Sequence, residues 1–346
     1  MTGTFVTVAL ITSAVLLTLV VPGTLARWRR QRTDPARALL LWQSVSVAGV
    51  VCALLAAPVA VLTSGLRHPW LLGLAVAVSA GMLARVLWSG HRVGTDLRRL
   101  RAEHRAMVDL LGERLEDLED GDGRSGAQGY GGRGDREGGK DRTARDPIRV
   151  LAHPAPTAFC LPGKGDRIVL TRATVERLGH EELRAVLAHE QAHLDHRHDL
   201  LLELFTVLHK AVPARVRAHT ALHEVHLLAE VLADHRAAAR TSAPALARAL
   251  VAMVAPEALD DHAASTSATG GGRAGRGTTD GDLTHRDLLQ EPRLQHALGA
   301  ADTQVGTRLQ LLAQPPAPAG LRLALTSGAV GVLALPAVLL LLLWWA

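Results

Sequence analysis

Leu187-Ala188-His189-Glu190-Gln191-Ala192-His193 carries the signature His-Glu-x-x-His inside a stretch of helical composition. Two imidazoles four residues apart on a helix leave from one face, so His189 and His193 can grip a single ion. Glu190, between them, is placed to polarise a water on that ion. The signature therefore points to one zinc ion and to metal-assisted hydrolysis of a peptide bond.

Zinc in a hydrolytic site takes three protein ligands and keeps its fourth position open, so a third residue is needed. A metzincin arrangement would break the helix at a glycine three residues past His193 and place the ligand three residues later. Those positions hold His196 and Asp199, and Leu200 to Val207 keep the helical pattern, so the helix is expected to run into the 200s until Pro213 ends or kinks it. On an unbroken helix Asp199 would lie about 15 Å along the axis from His189, out of reach.

The remaining route is a glutamate on a second helix. Glu230 stands among Leu227, Leu228, Val231 and Leu232, where a carboxylate needs a cation. Its alternative is an ion pair with Arg236 or Arg240. Asp234, one turn on, shares its face and suits the second ring N–H of a ligand histidine. His196, His198, His209, His219 and His235 read as surface or capping residues.

Of the 346 residues, 48% are hydrophobic but only 3% aromatic, an unusual balance for a soluble enzyme. The excess lies in four apolar runs, 4–21, 39–62, 70–88 and 323–345, each long enough to cross the roughly 30 Å hydrocarbon core as a helix. No positive charge precedes the first run, so it reads as a retained span and not a cleaved signal. Arg27, Arg29, Arg30 and Arg32 after the first run, and Arg92, Arg98, Arg99, Arg101 and Arg105 after the third, place those loops in the cytoplasm. The short connection at Arg67 and His68 faces out. The expectation is a multi-pass protein of the cytoplasmic membrane, with residues 91–320 and the signature on the cytosolic side.

A net charge of +5 and a pI near 10.0 raise the question of nucleic acid. The arginines, however, sit beside membrane segments and in Gly-rich stretches without interleaved aromatics, so contact with the lipid bilayer explains them and no direct nucleic-acid binding is expected. Cys52 and Cys160 lie far apart and form no Cys-x-x-Cys pair, which leaves neither a disulfide framework nor a thiolate site.

Three membrane helices thus occupy 1–90, and an amphipathic helix over 91–120 follows, with Leu97, Leu100, Val108, Leu111, Leu115 and Leu118 on its apolar stripe. Packing on its own domain is the favoured use of that stripe; the alternative is a coiled coil between two copies, a homodimer. Residues 121–147 are Gly, Arg and Asp with almost nothing apolar and read as a disordered linker. A catalytic domain fits 148–259, opening with short strands around Arg149-Val150-Leu151 and Arg167-Ile168-Val169-Leu170 between Pro and Gly turns. The signature helix begins near His180, with Glu181 and Glu182 at its positive end. A further helix covers about 217–240, and 245–254 is helical. A flexible segment at 260–287, a juxtamembrane region at 288–320 and a last membrane helix at 321–346 complete the layout.

Val186-Leu187-Ala188-His189-Glu190-Gln191-Ala192-His193 with Arg197-His198-Asp199, then Glu230-x-x-x-Asp234, resembles the gluzincin domain of the BlaR/MecR family of membrane-embedded zinc peptidases. Pro156 to Cys160, Pro162-Gly163 and the strand Ile168-Val169-Leu170 are similar to the sheet that leads into that family's signature helix. The resemblance spans 148–240 and the order of three membrane helices before and one after. It implies a mostly α membrane protein with a cytosolic α+β gluzincin-like zinc peptidase domain. It also implies zinc ligands at His189, His193 and Glu230, a catalytic base at Glu190, and Asp234 behind a ligand. The implied substrate is a protein, a winged-helix transcriptional repressor, cut in a signalling pathway.

The family's β-lactam sensors carry a penicillin-binding domain after the last membrane helix; this sequence shows none there, so a peptidase without that sensor is expected. Heat-shock-type membrane peptidases of protein quality control share the ligand logic and are the alternative, as is a non-catalytic signalling protein braced by zinc. His223, His226 and Arg308 stay open as donors to the oxyanion, and the strand at Ala158 to Cys160 as an edge that an extended substrate could join.

Overall fold

A computed structural model of the chain describes residues 2–64, 68–115, 148–163, 165–212, 219–254 and 304–345. The expected linker at 121–147, the segment at 260–287, the first part of the juxtamembrane region, Arg67 and Pro213 lie outside these residues. The helices are α1 (Thr2–Val15), α2 (Val21–Arg27), α3 (Pro35–Thr63), α4 (Pro69–Leu111), α5 (Arg172–Arg177), α6 (His180–Asp195), α7 (His198–Ala211), α8 (His219–Arg240), α9 (Ala243–Val254), α10 (304–312) and α11 (Ala319–Trp344). The strands are β1 (Glu113–Arg114), β2 (Ile148–Leu151), β3 (Ala158–Leu161) and β4 (Arg167–Thr171).

The chain forms two compact units. The first holds residues 1–106, 193–233 and 314–346. In it, α1 passes through a π-helical turn at Leu16–Val20 into α2, giving one apolar rod from Thr2 to Arg27. That rod, α3, α4 and α11 are long and apolar enough to cross a membrane, by length and composition. Phe5, Val8, Ile11, Leu74, Val76, Leu341 and Leu342 stand exposed on them, an apolar surface larger than soluble monomers usually present to water.

Asp34 caps α3, its carboxylate accepting the Arg37 backbone N–H at 3.3 Å, and Pro35 follows at the first helical position. The helices α1, α3 and α11 bury Val6, Leu10, Cys52, Val59 and Leu339 together. Gly3 permits the close approach of α1 to α3, since a Cβ there would stand 2.7 Å from Cβ of Thr63. A second core joins Leu17, Leu25, Leu39, Trp42 and Leu325 to Phe205 of α7 and Val225 and Leu228 of α8.

The second unit holds residues 107–192 and 234–313. Its sheet has the order β1-β2-β4-β3. The central pair β2 and β4 is parallel, with Val150 opposite Leu170, while β3 and β1 run antiparallel on the two edges. Val150 is buried, and in β4 Ile168, Val169 and Leu170 are all buried, the continuous apolar run of a strand covered on both faces. The face carrying Leu170 packs on Leu178, Leu183, Val186 and Ala249. Ala185 of α6 meets Ala237 of α8, with Leu246 and Leu250 of α9 and Val305 of α10 completing that core.

Two boundaries differ from the sequence expectation. The amphipathic helix ends at Leu111, with the Gly112 N–H donating to the Val108 carbonyl at 2.8 Å, and Glu113–Arg114 then pair with β2 as a strand. The signature helix also does not run into the 200s. It stops at Asp195, the chain turns through His196 and Arg197, and α7 begins at His198. Arg197 takes a left-handed conformation, φ 47°, that ends the helix without a glycine. Apolar periodicity is intact on both sides of this turn, so pattern alone reads the two helices as one.

Candidate metal centre

Four of the five predicted site residues lie on two helices at one-turn spacings. His189 and His193 are four apart on α6, and Glu230 and Asp234 are four apart on α8, so each pair shares a face of its helix. The start of α6 is fixed by Glu182, whose carboxylate accepts the backbone N–H of Gly179 at 3.0 Å, while Leu183 N–H donates to the Gly179 carbonyl at 2.8 Å. The Glu182 half of a capping box, with the first helical backbone bond, holds the register from which both histidines project. The fifth residue, Glu190, follows His189 directly and is buried.

The two ring nitrogens of each histidine have different surroundings. His189 Nδ1 lies 2.9 Å from an Asp234 carboxylate oxygen, which leaves Nε2 as its outward donor. His193 Nδ1 lies 2.9 Å from Nδ1 of His198, and its Nε2 lies 3.5 Å from a Glu230 oxygen. One donor atom each from His189, His193 and Glu230 all fall within 4.8 Å of one another. Two ligands held at zinc–nitrogen and zinc–oxygen lengths near 2.1 Å with tetrahedral angles stand about 3.4 Å apart. The 3.5 Å separation of His193 and Glu230 matches that spacing, and two imidazoles with one carboxylate are a donor set suited to zinc. Asp199 stays outside the group because its carboxylate is 3.4 Å from Arg101 on α4, beyond the turn that ends α6.

Asp234 is 1% exposed and has a second partner. Arg308, on α10, donates two hydrogen bonds to its carboxylate at 2.8 and 2.6 Å. Burial pushes the Asp234 carboxyl up, but the hydrogen bonds of Arg308 and then His189, with both their charges, outweigh it and hold the pKa below the ordinary aspartate value. Asp234 is therefore an anion oriented from both sides, and two Arg308 nitrogens are committed to it rather than to a substrate oxyanion.

His198 corrects a second expectation. It is 2% exposed, not a surface histidine, and its ring meets His193 edge-on with centroids 4.8 Å apart. If His193 donates its Nδ1 proton, His198 accepts it, which fixes the His193 tautomer with Nε2 available for a metal. The nearest sequence signal was the run His196-Arg197-His198 itself. Arg308 left no such signal, since the pairing spans 74 residues. His223 and His226 are exposed on α8, His226 one turn before Glu230. Partial burial holds the His226 imidazole below its ordinary value, opposed by the charge of Glu230 and reinforced by that of His223.

Neither a curated protein nor a solved structure matches the chain. The sequence model of Peptidase family M48 matches residues 141–256, about a third of the chain, a stretch that includes the whole sheet core β2 to β4, the signature on α6 and Glu230 and Asp234 on α8. That match carries the coarser of the two likenesses, to metallopeptidases that use zinc, and does not extend to the BlaR/MecR type. Residues 141–256 are accordingly similar to the peptidase domain of family M48.

Proposed function

We propose that the protein is an integral-membrane zinc endopeptidase that cuts protein substrates on the cytosolic side of the cytoplasmic membrane. The observation that carries this reading is the convergence of His189, His193 and Glu230 within one zinc-sized group inside the stretch matched by family M48. His189, His193 and Glu230 would hold one zinc ion, and Asp234 and His198 would orient the two imidazoles. Zinc, when bound, lowers the pKa of a coordinated water and polarises the peptide carbonyl.

Glu190 takes the proton of the attacking water and returns it to the leaving amine, the double role open to a buried carboxylate beside the ligand helix face. The edge strand β3 pairs with β4 on one side; its other side supplies backbone groups for an extended substrate. His223 and His226 are imidazole donors within reach of solvent on α8, and His226 is the nearer to Glu230 in sequence.

On the BlaR/MecR likeness the substrate is a winged-helix repressor. On the quality-control reading it is a range of damaged membrane proteins. The test compares new protein termini in cells expressing wild type and Glu190→Gln. The variant should keep its fold and one zinc per chain while cleavage falls by about 10²- to 10⁴-fold. One cut protein would favour the repressor, and many membrane proteins would favour quality control. Equal processing by both forms would sink the peptidase mechanism and leave zinc as a structural brace.

A further inference from the structure

Within the first unit, α4 and α7 border an open groove of about 410 Å³ lined by Arg85, Trp88, Arg92, Asp96, Lys210 and Ala211 among others. Three cations against one acid give it an excess of positive charge. Arg85 stands inside the apolar run of α4, where a charge is costly unless it meets oxygen atoms. Its Nε donates to the Ala211 carbonyl at the end of α7 at 2.7 Å, one of the five donors a guanidinium carries. Arg92, two turns along α4, lies 5.2 Å above the ring of Trp88, a stacking that holds its charge against the groove lining. Ser89 ties the walls together, donating to the Val207 carbonyl at 3.0 Å.

On the other side of Trp88 the surface is apolar: Leu83, Leu87 and Trp88 itself are 44%, 64% and 59% exposed. The groove thus joins a cationic floor to a strip that hydrocarbon would cover, and a tryptophan marks the junction, as at a membrane interface. We infer that this groove binds one anionic phospholipid of the surrounding bilayer, its phosphate between Arg85, Arg92 and Lys210 and its acyl chains along the exposed face of α4. The inference rests on the reading of α4 as a membrane span. It differs from a general excess of positive charge in the cytosolic loops, because Arg85 lies within the span and the site has a volume and two walls.

The test uses the full chain, extracted in a neutral detergent, with lipid retention read by native mass spectrometry against phosphatidylglycerol and phosphatidylcholine of equal chain length. Wild type should retain one phosphatidylglycerol in preference to phosphatidylcholine. Arg92→Gln should loosen it about fivefold, and Arg92→Lys should keep most of the affinity. Arg99→Gln is the control, since Arg99 is exposed and paired with Glu103 on the same helix; it should bind as wild type does. Millimolar inorganic phosphate should leave the lipid in place. Equal retention of the two lipids, displacement by phosphate, or unchanged binding by Arg92→Gln would overturn the inference. Release of the chain from membranes by alkaline carbonate would overturn the spanning reading with it, whereas an integral chain without lipid preference fails on this point alone.

Discussion

His193, a ligand in the proposed zinc site, shows how much of such a residue's geometry is set by its neighbours. Its Nδ1 faces His198 at 2.9 Å and its Nε2 faces Glu230 at 3.5 Å, so each nitrogen has one task. A neutral imidazole behind a ligand orients it without adding the negative charge that Asp234 places behind His189. Replacing His198 by alanine should weaken zinc binding about ten- to a hundredfold, the usual cost of losing such a partner. His198→Gln, which keeps an acceptor, should recover part of it, as chelator competition would show; an unchanged affinity in His198→Ala would mean that His193 needs no such support. Glu230→Ala should lose most of the zinc, and elemental analysis that finds full zinc content would remove Glu230 from the site. The signature and Glu230 were legible in the sequence because their spacing and apolar setting are local. The partners behind them were not: His198 looked like one more histidine in a His-rich run, and Arg308 reaches Asp234 from another helix.

At the level of elements, α6 is positioned by its amino-terminal cap and terminated by a single left-handed residue. Glu182 bonds the Gly179 N–H and receives Arg248 at 2.9 Å. The backbone bond first, then Arg248, hold its carboxyl below the ordinary glutamate value. A depressed carboxylate pKa contributes stability above the unfolded value and loses it as the pH falls through the folded one. Glu182→Gln should therefore be less stable than wild type at neutral pH, by about 0.5–1 kcal/mol, and the difference should shrink as the pH falls below about 4.5. Thermal unfolding at several pH values checks this, and a gap that widens in acid would contradict the sign. The start of this helix was readable from His180-Glu181-Glu182. Its end was not, because Arg197 adopts a left-handed φ without the glycine or asparagine that marks such a stop, and the apolar pattern resumes at once in α7.

At the scale of the molecule, the first unit contains a buried polar network that joins the α2–α3 connection to α8. Arg32 donates two hydrogen bonds to Glu224 at 2.7 and 2.6 Å, and Glu224 has a side-chain exposure of 3%. Gln31, fully buried, donates to the Leu25 carbonyl at 2.7 Å and accepts from the Trp42 indole N–H at 3.1 Å. The arginines after the first apolar run carry the topology expectation in the sequence. Among the described residues Arg32 has a specific partner, 192 residues away, and a charge pair at that separation leaves no periodic trace. Removing one member of such a pair strands the other charge out of water, whereas removing both removes the demand. Arg32→Leu should then destabilise the protein by about 3–5 kcal/mol, a loss that Arg32→Leu with Glu224→Leu should largely recover. Denaturant unfolding of the purified chain in a mild detergent measures both. Because Glu224 precedes Glu230 by six residues on α8, the single variant should also bind zinc less tightly and the double variant regain that affinity. Losses that simply add in the double variant would show that the two residues act separately, and that the connection between α2 and α3 does not help to hold α8.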